Sequence, residues 1–66
     1  MEKELIKKIR LTAMVTQTEF ANELGVRQWT VLQWEKGYAE ISLRNQRKIV
    51  EFCKNHNIDI EKIKGE

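Results

Sequence analysis

Cys53 and His56 are the side chains of this sequence with the greatest capacity for nucleophilic or metal chemistry, and they stand three residues apart. On a helix this spacing places both on one face, where they could bind a metal ion. The sequence has no other Cys or His to complete a metal site or a Cys/His nucleophile pair. We therefore expect a core thiol and a surface imidazole, with no metal, no cofactor and no enzyme activity.

The composition is that of one small folded domain, expected to cover residues 1–66. The chain carries 12 basic and 10 acidic side chains, and 41% of its residues are hydrophobic. A chain this short buries only about 60% of the surface that its unfolded form exposes, so a partner could add stability. The longest apolar run is residues 13–15, far short of the roughly 20 residues of a membrane span, and the start lacks a signal-peptide pattern. We expect a cytoplasmic protein without a membrane partner.

Apolar residues recur at helical spacing and predict an all-α fold of five short helices without strands. Thr16 should cap the second helix, with Glu19 completing a capping box. Gly25 follows that helix where a left-handed residue commonly ends one, and Gly37 ends a third helix running roughly from Gln28 to Lys36. For the fourth helix, capped by Ser42, the pattern predicts an apolar face of Leu43, Ile49, Val50, Phe52 and Cys53. Asp59 should cap the fifth.

Residues 17–36 place two predicted helices on either side of a turn with restrictive spacing. Ala21 stands four residues before Gly25, and Val31 six residues after it. Helices that cross steeply over a short turn bring their backbones close, so a small residue is needed at the crossing and a glycine supplies φ > 0 in the turn. This is the helix-turn-helix arrangement, in which the second helix enters the major groove of DNA.

The run from Thr16 to Val26 (TQTEFANELGV), followed by WEKG at residues 34–37, resembles the Cro and phage-repressor helix-turn-helix family. This family is also described as lambda-repressor-like or as the xenobiotic-response-element group. The resemblance covers the chain from about Leu5 to Ile63. It implies a compact five-helix DNA-binding domain, which agrees with the helix count from periodicity.

The resemblance also implies roles for individual side chains. Gln28 would contact a base edge, since a Gln amide suits adenine, and Gln33 would address a neighbouring strip of the groove. Trp29 would contact a thymine methyl or pack along a sugar. Gln17 would bind a phosphate and brace Gln28. The other expected backbone contacts are Arg27, Thr30, Lys36, Tyr38 and Arg44, and a buried ion pair is expected between Arg10 and Glu35.

Three features of the sequence depart from the family pattern: one helix cap, one loop and one position in the fourth helix. Arg27 stands where Ser or Thr usually caps the third helix, and Arg cannot cap an N-terminus, so we expect it to contact DNA instead. The loop of residues 37–41 carries Glu40 and no Lys or Arg, which shifts phosphate contacts to Lys36, Tyr38 and Arg44. Gln46 occupies a position where Leu is preferred.

Charge and length together favour a dimer on DNA. Residues 27–48 hold five basic and two acidic side chains, a net charge of +3, whereas the remainder holds seven basic and eight acidic, a net charge of −1. One recognition helix contacts about 4–6 base pairs, so a homodimer on a pseudo-palindrome is the natural solution. Candidate dimer contacts are Ile58, Ile60 and Ile63.

The resulting hypothesis is a sequence-specific regulator of transcription that binds double-stranded DNA, suited to a phage or mobile-element repressor. Because the chain ends after the DNA-binding fold, no small-molecule ligand is expected, and control would come from concentration, cooperativity or a partner protein. Helix three is expected to expose Gln28, Trp29, Leu32 and Gln33. The alternatives are an antitoxin that also binds a toxin protein, and a protein-interaction module that uses Trp29 and Leu32.

Overall fold

The computed structural model describes residues 1–65, and these form five helices joined by short turns, with no strand among them. This confirms the prediction of an all-α fold. The helices are α1 (Lys3–Thr12), α2 (Gln17–Leu24), α3 (Gln28–Lys36), α4 (Leu43–Asn55) and α5 (Ile60–Lys64).

Side-chain caps start three of the helices at the predicted residues. The Thr16 hydroxyl accepts a hydrogen bond from the Glu19 backbone N–H at 3.1 Å, and the Glu19 carboxylate accepts one from the Thr16 N–H at 2.8 Å. Ser42 accepts from the N–H of Asn45, and Asp59 accepts from two N–H groups at the start of α5. These bonds satisfy N–H groups that a helix leaves without internal partners, so the caps fix where α2, α4 and α5 begin.

Left-handed residues follow α2 and α3 as predicted, and Met14 after α1 and Asn57 after α4 are left-handed as well. Gly25 and Gly37 have φ of 73° and 77° and follow α2 and α3 directly. The α1–α2 turn contains Met14 at φ 60°, a conformation that costs a non-glycine residue about 1–2 kcal/mol. Met14 is 89% exposed, so packing does not compensate this strain.

The core lies where the five helices meet. Helix α1 packs against α3 and α5, and α2 packs against α3 and α4. The rings of Phe20 and Phe52 meet edge to face at a centroid distance of 4.7 Å. Cys53 is buried beside them, and burial raises the pKa of its thiol, so the sulfur stays protonated and unreactive at neutral pH.

Two expectations about apolar faces are wrong. Leu43 and Val50 do not belong to the buried face of α4, because each is turned by more than about 90° from Ile49, and Leu43 is 63% exposed. Ile63 is only 6% exposed and packs into the core of its own chain, because α5 lies against α1. It therefore offers almost no surface to a second copy. Ile58 and Ile60 are partly buried against the same core.

None of the helices in residues 1–65 has the length and apolar content needed to cross a membrane. Within the same residues, no group of three or more His, Cys, Asp and Glu side chains could hold a metal ion.

Candidate nucleic-acid interface

The outward face of α3 presents polar and apolar side chains side by side. Gln28 and Trp29 are exposed in its first turn, and Trp29 is 63% exposed although it is a large apolar side chain. Leu32 and Gln33, one turn further on, are half-buried rather than fully exposed as expected. The opposite side of the helix inserts Val31 and Trp34 into the core.

A hydrogen bond across the turn holds the side chain of Gln28. Its Nε2 donates to Oε1 of Gln17 at 2.7 Å. The Nε2 of Gln17 in turn donates to Oε1 of Glu35, at 3.3 Å. Gln17 therefore links the first turn of α3 to a carboxylate near the other end of the same helix.

Glu35 is held by Arg10 of α1 in a two-pronged ion pair. Arg10 donates from Nε to Oε2 at 2.7 Å and from Nη2 to Oε1 at 3.1 Å. Its Nη1 donates to the Val15 carbonyl at 3.2 Å, in the turn that leads into α2. The two charged side chains are 12% and 6% exposed, so they are largely removed from water. Such paired geometry is the strong form of the Arg–carboxylate interaction.

The chain of contacts from Arg10 through Glu35 and Gln17 leaves part of the Gln28 amide available. A Gln side chain has two N–H donors and an acceptor oxygen, and Gln17 takes one donor. The remaining N–H and the oxygen are the pair that adenine requires, since adenine presents an N7 acceptor and an N6 donor in the major groove. The contacts to Gln17 thus orient Gln28 before any ligand binds.

The first turn of α3 is open at its N-terminus. Arg27 occupies the cap position in an extended conformation and makes no side-chain capping bond. Backbone N–H groups at a helix N-terminus attract anions such as phosphate. The other residues with expected phosphate contacts divide by exposure: Lys36, Tyr38 and Arg44 are exposed, whereas Thr30 is half-buried.

Comparison with known families agrees with this geometry. A family model described as helix-turn-helix matches residues 6–56, which is well over half of the chain. The chain belongs to the Cro and phage-repressor helix-turn-helix family. The same comparisons find no match among curated proteins and none among solved structures.

As a Cro-type helix-turn-helix protein, the chain is a DNA-binding regulator whose ligand is double-stranded DNA. Its α2 and α3 coincide with the predicted helix-turn-helix of residues 17–36. Ala21 of α2 is buried, which fits the close crossing expected of these helices, and Gly25 has the left-handed conformation that the turn needs.

Two contacts of this helix-turn-helix protein escaped the sequence analysis. Gln46 donates to the Ile41 carbonyl at 2.9 Å, so the amide that replaces Leu anchors the loop before α4. His56 lies 3.1 Å from both carboxylate oxygens of Glu23 and stacks on Phe52 at a ring distance of 4.2 Å. Glu23 and His56 are 33 residues apart, so no local pattern could have paired them.

Removing one partner of the ion pair should destabilise the domain more than removing both. We expect Glu35→Ala to lower the free energy of unfolding by about 3 kcal/mol, because it leaves the Arg10 charge largely desolvated without an opposite charge beside it. The double variant Arg10→Met, Glu35→Leu should lose less than that, because neither charge remains. Urea denaturation followed by circular dichroism measures both losses. A double variant that loses more than Glu35→Ala would show that the pair does not act as a unit.

Proposed function

We propose that this protein represses transcription in the cytoplasm by binding, as a homodimer, to a pseudo-palindromic operator through the major groove. The observation that best supports this proposal is the orientation of the Gln28 amide by Gln17, with one donor and one acceptor left for a base. Repression needs no further machinery, since a protein bound across a promoter excludes polymerase.

Sequence selection would come from the exposed face of α3. Residues in the first turn of a recognition helix contact base edges, so Gln28 and Trp29 would lie over adjacent base pairs. Gln33 lies about 140° from Gln28 round the helix, on a neighbouring strip of the groove. A bidentate amide contact to the correct base contributes about 1–3 kcal/mol of discrimination.

Affinity would come mainly from phosphate contacts around this face. The proposed set surrounds α3 and consists of Gln17, Arg27, Thr30, Lys36, Tyr38 and Arg44. Three of the six are cationic, and the segment of residues 27–48, which contains α3, has a net charge of +3. Such contacts carry no sequence information but set the register of the protein on the duplex.

A second copy of the chain would occupy the groove between α1, α4 and α5. Its apolar lining includes Val50, Ile60 and Met1. Its other lining residues include Glu4, Glu61 and Lys64, charges of both signs that a two-fold axis can pair with their opposites on the partner. Ile60 lines this groove and stays a dimer candidate, as does Ile58 two residues before it. In the proposed interface Val50 replaces Ile63, which is buried in its own chain.

Replacing Gln28 and replacing Arg44 should have different effects on DNA binding. Binding sites are first selected from random DNA, and affinities are then measured by fluorescence anisotropy. Gln28→Ala should lower the ratio of operator to non-operator affinity by roughly tenfold, because a base contact is lost. Arg44→Ala should weaken binding to every duplex about equally, because a phosphate contact is lost.

An unchanged specificity ratio in Gln28→Ala would contradict its role as a base contact. Salt provides the control for DNA binding itself, since several phosphate contacts predict a steep loss of affinity between 50 and 200 mM salt. A negligible salt effect would favour the protein-interaction alternative.

Val50→Glu tests the dimer. The substitution introduces an acidic side chain into the apolar lining of the groove and should prevent the second copy from packing there, while Val50 is exposed enough that the fold should tolerate it. We expect normal affinity for a single half-site but loss of the tighter binding to the full operator. Unchanged binding to the full operator would place the dimer interface elsewhere. Leu43→Glu is the matched control, because it adds the same charge to an exposed position of α4 outside the groove.

A further inference from the structure

Lys3, at the start of α1, lies against Gly37, the glycine that ends α3. A Cβ on Gly37 would stand 2.9 Å from Cδ of Lys3 and 3.7 Å from its Nζ. Gly37 has a φ of 77°, which favours glycine, and its lack of a Cβ also leaves the space that the lysine stem occupies. The side chain of Lys3 is therefore placed beside the C-terminal end of α3.

The ammonium group of Lys3 has hydrogen-bond donors available at this position. Lys3 is exposed, and within residues 1–65 it forms no hydrogen bond and no ion pair. The carbonyl end of α3 carries partial negative charge, which favours a cation beside it. That attraction leaves the three N–H donors of the ammonium free to bind a ligand with strong acceptor oxygens.

The end of α3 beside Lys3 is where one wall of the major groove would lie. Its nine residues make α3 about 13 Å long, slightly more than the roughly 12 Å width of the groove. With Gln28 over the bases, as proposed, the opposite end of the helix reaches the phosphates along one wall. Lys36 and Tyr38, which belong to the proposed phosphate contacts, are the neighbours of Gly37 in the sequence.

The loop that follows α3 adds no positive charge to this wall. Residues 37–41 contain Glu40 and no Lys or Arg. The Glu40 side chain is exposed, and its carboxylate repels phosphate. A cation from another part of the chain can offset that repulsion, and Lys3 is a cation that the fold brings to this loop.

We propose that Lys3 binds a phosphate of the DNA backbone next to those contacted by Lys36 and Tyr38, so that α1 provides the positive charge that the loop lacks. This inference rests on the proposed function, because it requires the first turn of α3 to lie in the major groove. It extends the DNA interface beyond the helix-turn-helix to the start of α1. The contact carries no sequence information, so it strengthens binding to operator and non-operator DNA alike.

Removing the charge of Lys3 tests the contact through its salt dependence. Each phosphate contact adds about 0.9 to the slope of log affinity against log salt concentration, which is about eightfold in affinity for each tenfold change in salt. Lys3→Gln should lower the slope by that amount and weaken binding to every duplex, whereas Lys3→Arg should retain both. Fluorescence anisotropy with the full chain measures the affinities, and circular dichroism checks that the variants fold.

Lys54→Gln is the matched control. It removes the same charge from another exposed lysine, so the two Gln variants have equal net charge. Lys54 lies in the last turn of α4, about 16 Å along the helix from its start at Leu43. This is more than the Debye length of about 10 Å at 0.1 M salt, so the control should change the slope and the affinity little.

Neutral phosphates locate the contact on the DNA. In the operator selected from random DNA, the phosphates of one half-site are replaced singly by methylphosphonates, which keep the backbone and remove the charge. The wild type should lose affinity at each contacted phosphate. In Lys3→Gln the loss should disappear at one phosphate and persist at the others, whereas Arg44→Ala should abolish the loss at a different phosphate. A lysine that only stabilises the fold is coupled to no particular phosphate.

Equal losses at every methylphosphonate in the wild type and in Lys3→Gln would overturn the contact, and so would a salt slope in Lys3→Gln equal to that of Lys54→Gln. Either result would make Lys3 a stabilising cation at the end of α3 and would leave the proposed function intact. Failure of the proposed function is a different result, because selection from random DNA would then recover no common site, and the Lys3 contact would fall with it.

Discussion

The ion pair between Arg10 and Glu35 is the interaction on which the arrangement of the helix-turn-helix depends. It joins α1 to α3, and it meets the start of α2 through Gln17. Desolvating two charges costs several kcal/mol, so a buried pair is favourable only when its geometry is good and its other polar atoms are satisfied. Here the carboxylate accepts three hydrogen bonds, and Arg10 also donates to the Val15 carbonyl. Side chains from all three helices are therefore fixed relative to one another at Glu35.

The contacts at Glu35 also orient the side chain that we propose contacts a base. Gln28 is tied to Gln17, and Gln17 to Glu35, so the amide at the start of α3 takes its orientation from the interior of the domain. An oriented amide loses less conformational entropy when it binds a base than a freely rotating one. Gln17 and Gln28 lie on either side of the α2–α3 turn, where Ala21 is small and buried and Gly25 is left-handed, as a close crossing of two helices requires.

Local signals made much of this structure predictable. Helix starts are marked by capping side chains that form hydrogen bonds within three residues, at Thr16, Ser42 and Asp59. Two helix ends are marked by glycines in a conformation that other residues avoid, at Gly25 and Gly37. These features need no knowledge of the rest of the chain.

The features that could not be predicted depend on which helices pack together. Ile63 and Val50 are both apolar residues at helical spacing, yet Ile63 is buried because α5 lies against α1, and Val50 is exposed on the outer side of α4. The contact between Glu23 and His56 likewise exists only because α2 and α4 are neighbours. Within the interface, spacing alone predicted Leu32 and Gln33 as exposed. Their half-burial depends on how deeply α3 sits in the domain.

We propose that Gln17 acts on base recognition by orienting Gln28. A double-mutant cycle of Gln17→Ala and Gln28→Ala tests it directly, scored on the ratio of affinities for the selected operator and for one with a single base pair changed under Gln28. The ratio is insensitive to any phosphate contact of Gln17, because losing such a contact weakens binding to both duplexes alike. We predict that Gln17→Ala lowers this ratio in the wild-type background and leaves it unchanged when Gln28 is already alanine. Equal losses in the two backgrounds would contradict the account.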